Sequence, residues 1–131
     1  MRVVALAIGT AVVFVTHAAA ATDARFQRGL MMLAPTERLE QLCDYTAMTQ
    51  IRKDQRQFRP DRAVAGAMGE PHAVNAHTIE AKGAAFRSRG KWYALTYRCS
   101  ADIENLKVIS FRYTVGEEIP ETKWTAYGLW E

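Results

Sequence analysis

Apolar positions change rhythm along this chain. From Val3 to Val15 they are nearly continuous and carry no charge, with Arg2 before them and the small-residue run Ala18 to Ala21 close behind. A charged start, a short apolar centre and an A-x-A exit form the layout of a secretory signal peptide, expected over residues 1–21 with cleavage before Ala21 or Thr22. The apolar run falls short of the about 20 residues that a spanning helix needs, so no stable membrane span is expected after processing. No cysteine stands at the exit, the first being Cys43, so a lipid anchor there is not expected.

Beyond that segment the spacing becomes helical. Asp23 can cap a short helix in which Phe26, Leu30 and Leu33 recur at intervals of four and three. Pro35 suits the junction to a longer amphipathic helix from Thr36 to about Gln57. Its apolar stripe is Leu39, Leu42, Cys43, Ala47 and Ile51, opposite Glu37, Arg38, Glu40, Gln41, Arg52 and Lys53. The residue before Pro60 is pushed out of helical geometry, which ends that helix. Ala63 to Met68 reads as a short helix or the entry to a strand, and Gly69-Glu70-Pro71 as a turn.

From Val74 onward the period is two. In Trp92 to Cys99, the residues Tyr93, Leu95, Tyr97 and Cys99 share an inward face, and Trp92, Ala94, Thr96 and Arg98 an outward one. A two-residue turn at Arg89-Gly90 would set Phe86 opposite Tyr93 and Arg87 opposite Trp92. A second hairpin leads into Lys107 to Val115, where Ile109, Phe111, Tyr113 and Val115 point inward and Ser110, Arg112 and Thr114 outward. Pro120 can start a last helix carrying Trp124 and Tyr127, stopped at Gly128. The expected class is α+β: N-terminal helices on a small antiparallel sheet of three to four strands, with a short C-terminal helix, forming one domain over residues 22–131.

The cysteine count sharpens this picture. Two are present, Cys43 on the helix stripe and Cys99 on the inward strand face, and an exported chain favours their pairing. A disulfide across the helix–sheet interface is therefore expected. It would support a core that is thin in a domain of about 110 residues. The formal net charge of +3 loses one unit with Arg2, which leaves the chain far from the charge density of a nucleic-acid binder.

Candidate chemistry is sparse. Outside the signal segment only His72 and His77 can serve as histidine bases, and no G-x-S-x-G pattern accompanies Ser88, Ser100 or Ser110. Glu70, His72 and His77 are ligand types that suit zinc or copper, and they carry the alternative of a metal-dependent enzyme. His72 and His77, five apart, fall on opposite faces of a strand, so no metal or other cofactor is expected. The pairs Asp102/Glu104 and Glu117/Glu118 read as solvated turns. Arg59 and Arg62 flank Asp61, where a local ion pair would stiffen the loop. Trp124, Tyr127 and Trp130 offer an alternative as a contact patch for another envelope protein, although docking on the sheet accounts for the first two.

The outward sheet face is more suggestive. Arg87, Arg98 and Arg112 would line up across three strands beside Trp92, with Thr96, Ser110 and Thr114 between them. Guanidinium forks and an aromatic surface can hold an anionic partner. The bland account is a solvated face on which Arg87 covers Trp92 by a cation–π contact. The working expectation is a non-enzymatic binding module for an anionic envelope component, using Arg87, Trp92, Arg98 and Arg112.

The runs Glu37-Arg38-Leu39-Glu40-Gln41-Leu42-Cys43-Asp44, Phe58-Arg59-Pro60-Asp61-Arg62, Gly83 to Tyr93 and Gly116-Glu117-Glu118-Ile119-Pro120 resemble domain-of-unknown-function family 930. The resemblance extends from about Leu33 to Tyr127. It implies a periplasmic or secreted protein of a Gram-negative alphaproteobacterium, and it supplies no reaction, ligand or catalytic residue.

Overall fold

The computed structural model describes residues 19–131. Residues 1–18, and with them most of the expected signal segment, lie outside that range. Helix α1 spans Ala19–Met31, so Asp23 falls inside it rather than at its cap. Helix α2 spans Pro35–Asp54, with Pro35 in its first turn, where a missing N–H costs nothing. Its buried side is Leu39, Leu42, Cys43, Ala47 and Ile51, as the stripe predicts, together with one residue of a different kind, Asp44.

Five strands follow: β1 (Pro60–Val64), β2 (His72–Asn75), β3 (Thr78–Ser88), β4 (Lys91–Ala101) and β5 (Val108–Glu118). All pairings are antiparallel, in the order β1-β3-β4-β5, with β2 also on β3. The architecture is α+β with five strands rather than three to four. The extra strands are β1 and β2, too short to show a period. They share one edge of β3, β2 against Thr78–Glu80 and β1 against Ala85–Ser88. Between them the chain crosses β3 at a bulge, where Met68 N–H donates to Gly83 O at 2.7 Å. A Cβ on Gly83 would lie 2.7 Å from the Met68 carbonyl carbon, so the crossing needs glycine.

The β3–β4 hairpin has the expected register, Phe86 opposite Tyr93 and Arg87 opposite Trp92. Its two turn residues, Arg89 and Gly90, both take positive φ (52° and 76°), the geometry that matches strand twist. In β5, Phe111, Tyr113 and Val115 pack on the core as expected. Ile109 does not: a register shift opposite Ser100/Ala101 turns it out, 71% exposed, and Val108 packs in its place.

Helix α2 lies on the inward face of the sheet over Ile79, Ala81, Ala84, Phe86, Leu95 and Tyr97. Cys43 and Cys99 meet there at disulfide-bonding distance, with Cα atoms 6.0 Å apart. A second, smaller core occupies one end of the outward face. Instead of a C-terminal helix, the chain makes two 3-10 turns, Glu121–Lys123 and Thr125–Tyr127. These press Ile119, Trp124 and Leu129 onto Ala85 and Trp92.

Candidate functional site

The covered end of the outward face separates the residues expected to act together. Trp92 points outward, as its place in the alternation requires, yet it is fully buried. Its Nε1–H donates to Trp130 O at 2.7 Å, and the Trp130 ring packs edge-on at 5.4 Å. Arg87 lies over this pair, 5.9 Å from the Trp92 centroid and 6.0 Å from that of Trp130. Its guanidinium is already engaged, donating through Nε and Nη2 to the two carboxylate oxygens of Asp61 at 3.0 and 2.8 Å. Those bonds hold the Asp61 carboxyl below its ordinary range and raise the Arg87 value further. The partner of Asp61 is thus Arg87 on a neighbouring strand rather than Arg59 or Arg62. Trp92 is corrected from an exposed stacking surface to a core residue, and Arg87 stands at the lid of that core.

Arg98 and Arg112 lie toward the other end of the same face, on the open part of the sheet. They are directly opposite one another across β4 and β5, and Glu80 and His72 continue the same row onto β3 and β2. Arg98 Nη1 donates to Glu80 Oε1, a pair that remains partly accessible. Together with Lys82, Thr96 and Thr114 they line a shallow cleft of ≈ 520 Å³. Among the described residues neither Lys82 nor Arg112 forms an ion pair. The cleft therefore carries three cations against one carboxylate, with hydroxyls between them, and suits an anion held by forked N–H donors. Sequence spacing does not reveal Glu80 and Lys82, because β3 hides its period behind the bulge between Ala81 and Ala84.

Behind the sheet, Asp44 is buried, 7% exposed, with Tyr97 at 4%. Tyr97 O–H donates to Asp44 Oδ1 at 2.9 Å, and the nearby Ala65 backbone also acts to lower the value of this carboxyl. Burial, with the Glu40 charge adding to it, outweighs these and pushes the Asp44 carboxyl up to about 7. Burial, then the Asp44 charge, drives Tyr97 well above the ordinary tyrosine range, so Tyr97 remains a donor. One turn earlier, Glu40 is raised by burial and by the charges of Glu70 and Glu37.

The residues of the metal alternative do not converge. His77 Nδ1 bonds to Asn105 Oδ1 at 2.8 Å, His72 lies exposed on β2, and Glu70 stands in the preceding turn. Among the described residues no group of three His, Cys, Asp or Glu side chains is placed to hold a metal ion. Asp102 proves to be a loop anchor whose Oδ1 accepts from the Leu106 and Lys107 N–H groups. Trp124 is buried and Tyr127 packs against the same cluster, which leaves Trp130 half exposed. No described helix is long and apolar enough to cross a membrane.

Compared with known proteins, residues 30–129 match the family model described as Domain of Unknown Function (DUF930). No curated protein and no solved structure matches the chain.

Proposed function

The chain belongs to the DUF930 family, and from that premise we propose that it is an exported, non-enzymatic binding module whose open outward sheet face takes an anionic component of the bacterial envelope. The observation that carries this reading is the Arg98–Arg112 pair. Like charges directly opposite on adjacent strands are destabilising. Here Glu80 compensates only one of the two guanidiniums, and an anion bridging Arg98 and Arg112, with Lys82 alongside, would relieve the rest. A carboxylate, phosphate or sulfate group meets that demand. The binding residues are then Lys82, Arg98 and Arg112, with Thr96 and Thr114 as hydroxyl partners, while Arg87 and Trp92 support the fold at the covered end. Export accords with the Met1–Ala21 pattern and with a cysteine pair set for oxidation.

Titration calorimetry of the purified protein with lipopolysaccharide, peptidoglycan fragments and inorganic phosphate tests the site. Binding to one of these is expected to weaken at least tenfold in Arg98→Ala/Arg112→Ala, and to fall with rising salt. Unchanged binding by that variant sinks the site. The mass of the protein recovered from the periplasm should correspond to a start at Ala21 or Thr22, and recovery of the full chain from the cytoplasm alone would overturn export.

A further inference from the structure

A second cavity lies on the opposite side of the molecule, in the groove between α1 and α2. It measures ≈ 780 Å³, within the usual range for a binding pocket, and Phe26, Leu30, Leu33 and Tyr45 make its lining mainly apolar. Phe26 stacks on Tyr45 with ring centroids 4.1 Å apart, which fixes one wall.

Gly29 sits in that groove, within the last turns of α1. Among the described residues a Cβ built on it meets nothing within 4 Å, and its φ is not in the region that favours glycine. Among the described residues, neither packing nor backbone geometry calls for glycine here. Inside a helix glycine nevertheless costs up to about 1 kcal/mol relative to alanine. A glycine that leaves space beside a helix backbone is suited to close approach by another group.

The rim adds a charge preference. Glu37 and Glu40 of α2 line the groove against Arg25 of α1. Arg25 forms no ion pair among the described residues. Two rim carboxylates thus stand against one guanidinium, and a cation placed beside them would complete the pairing.

We propose that this groove docks a basic amphipathic segment of a partner polypeptide, with an apolar side chain seated against Gly29 and its cations on Glu37 and Glu40. The mode is an apolar anchor entering a hydrophobic groove with a charged rim. It is independent of the anion cleft, which lies on the other face of the sheet.

The probe is a fluorescein-labelled synthetic peptide of alternating leucine and lysine blocks at helical spacing, with a leucine/glutamate peptide of the same pattern as its counterpart. Fluorescence anisotropy should show saturable binding of the lysine peptide and none of the glutamate peptide. Gly29→Leu fills the groove from within, into space that no described residue occupies, and should weaken binding at least tenfold while thermal unfolding stays unchanged or rises. Glu37→Gln/Glu40→Gln should weaken it by a similar factor and flatten its salt dependence. Arg98→Ala/Arg112→Ala should leave it unaltered, which separates failure here from failure of the anion cleft. Equal binding of the lysine peptide by Gly29→Leu, or of the two peptides by the unaltered protein, overturns the proposal, as does the absence of binding.

Discussion

Replacing Asp44 by asparagine isolates the energetic effect of a buried carboxylate at the helix–sheet interface. The Asp44 carboxyl moves from an ordinary value of 3.8 to about 7 in the folded chain, with burial as the main cause. A rise of that size corresponds to about 4 kcal/mol. Because the folded value is raised, the folded state holds the proton more tightly than the unfolded chain does. The associated stability is therefore fully present below about pH 4. It is lost as pH rises through about 7 and then stays constant. Glu40 shifts in the same direction, whereas Asp54, Asp61 and Asp102 shift downward and oppose it, so the wild-type profile is composite. Asp44→Asn removes only one contributor. It keeps an oxygen that can accept from Tyr97 and carries no charge, and any change in local packing adds an offset independent of pH. Urea unfolding from pH 4 to pH 8.5 should then show the variant gaining about 4 kcal/mol relative to wild type across that range. Most of the gain should fall between pH 4 and pH 7. Profiles that stay parallel to within about 1 kcal/mol would refute the claim that Asp44 is held protonated by its surroundings.

Other expectations follow from the same structure. Cys43 and Cys99 close a loop with a sequence separation of 56, so Cys43→Ala/Cys99→Ala should lose about 4 kcal/mol of stability by chain-entropy arithmetic. Thiol titration of unfolded, unreduced wild type should find no free thiol, and finding two would remove the staple. Gly83→Ala would force a Cβ to 2.7 Å from the Met68 carbonyl carbon and 2.8 Å from Gly69 N. Backbone cannot rotate away as a side chain can, so a loss of about 2–3 kcal/mol is expected in thermal unfolding, and a neutral result would contradict the tight crossing. Asn105 is 2% exposed, sits at φ 54°, donates to Pro35 O and Ala76 O and meets His77. Asn105→Ala should cost about 2–4 kcal/mol through unpaired carbonyls and left-handed strain, and Asn105→Gly should recover the strain part alone.

Periodicity carried a large part of the fold. The stripe of α2, the inward face of β4, the Arg89-Gly90 turn and the meeting of Cys43 with Cys99 all follow from intervals of three to four and of two. Asp44 was legible in principle, since it falls three and seven residues before Ala47 and Ile51 on the buried stripe. Its charge made the polar side the natural place for it. Strands β1 and β2, five and four residues long, were not legible. Strands so short show no period, and what makes them strands is the long edge of β3 that offers them hydrogen bonds.

The candidate site divides along the same line. Alternation determined which residues share the outward face, and it assigned Trp92, Arg98 and Arg112 to that face correctly. Exposure is a different matter, because it depends on what another part of the chain lays over that face. The segment from Ile119 to Trp130 returns to cover Trp92 and leaves Arg98 and Arg112 open, a contact between residues far apart in sequence. Local spacing sets direction through the geometry of the backbone. Burial and the neighbours of a charge arise only when distant segments meet.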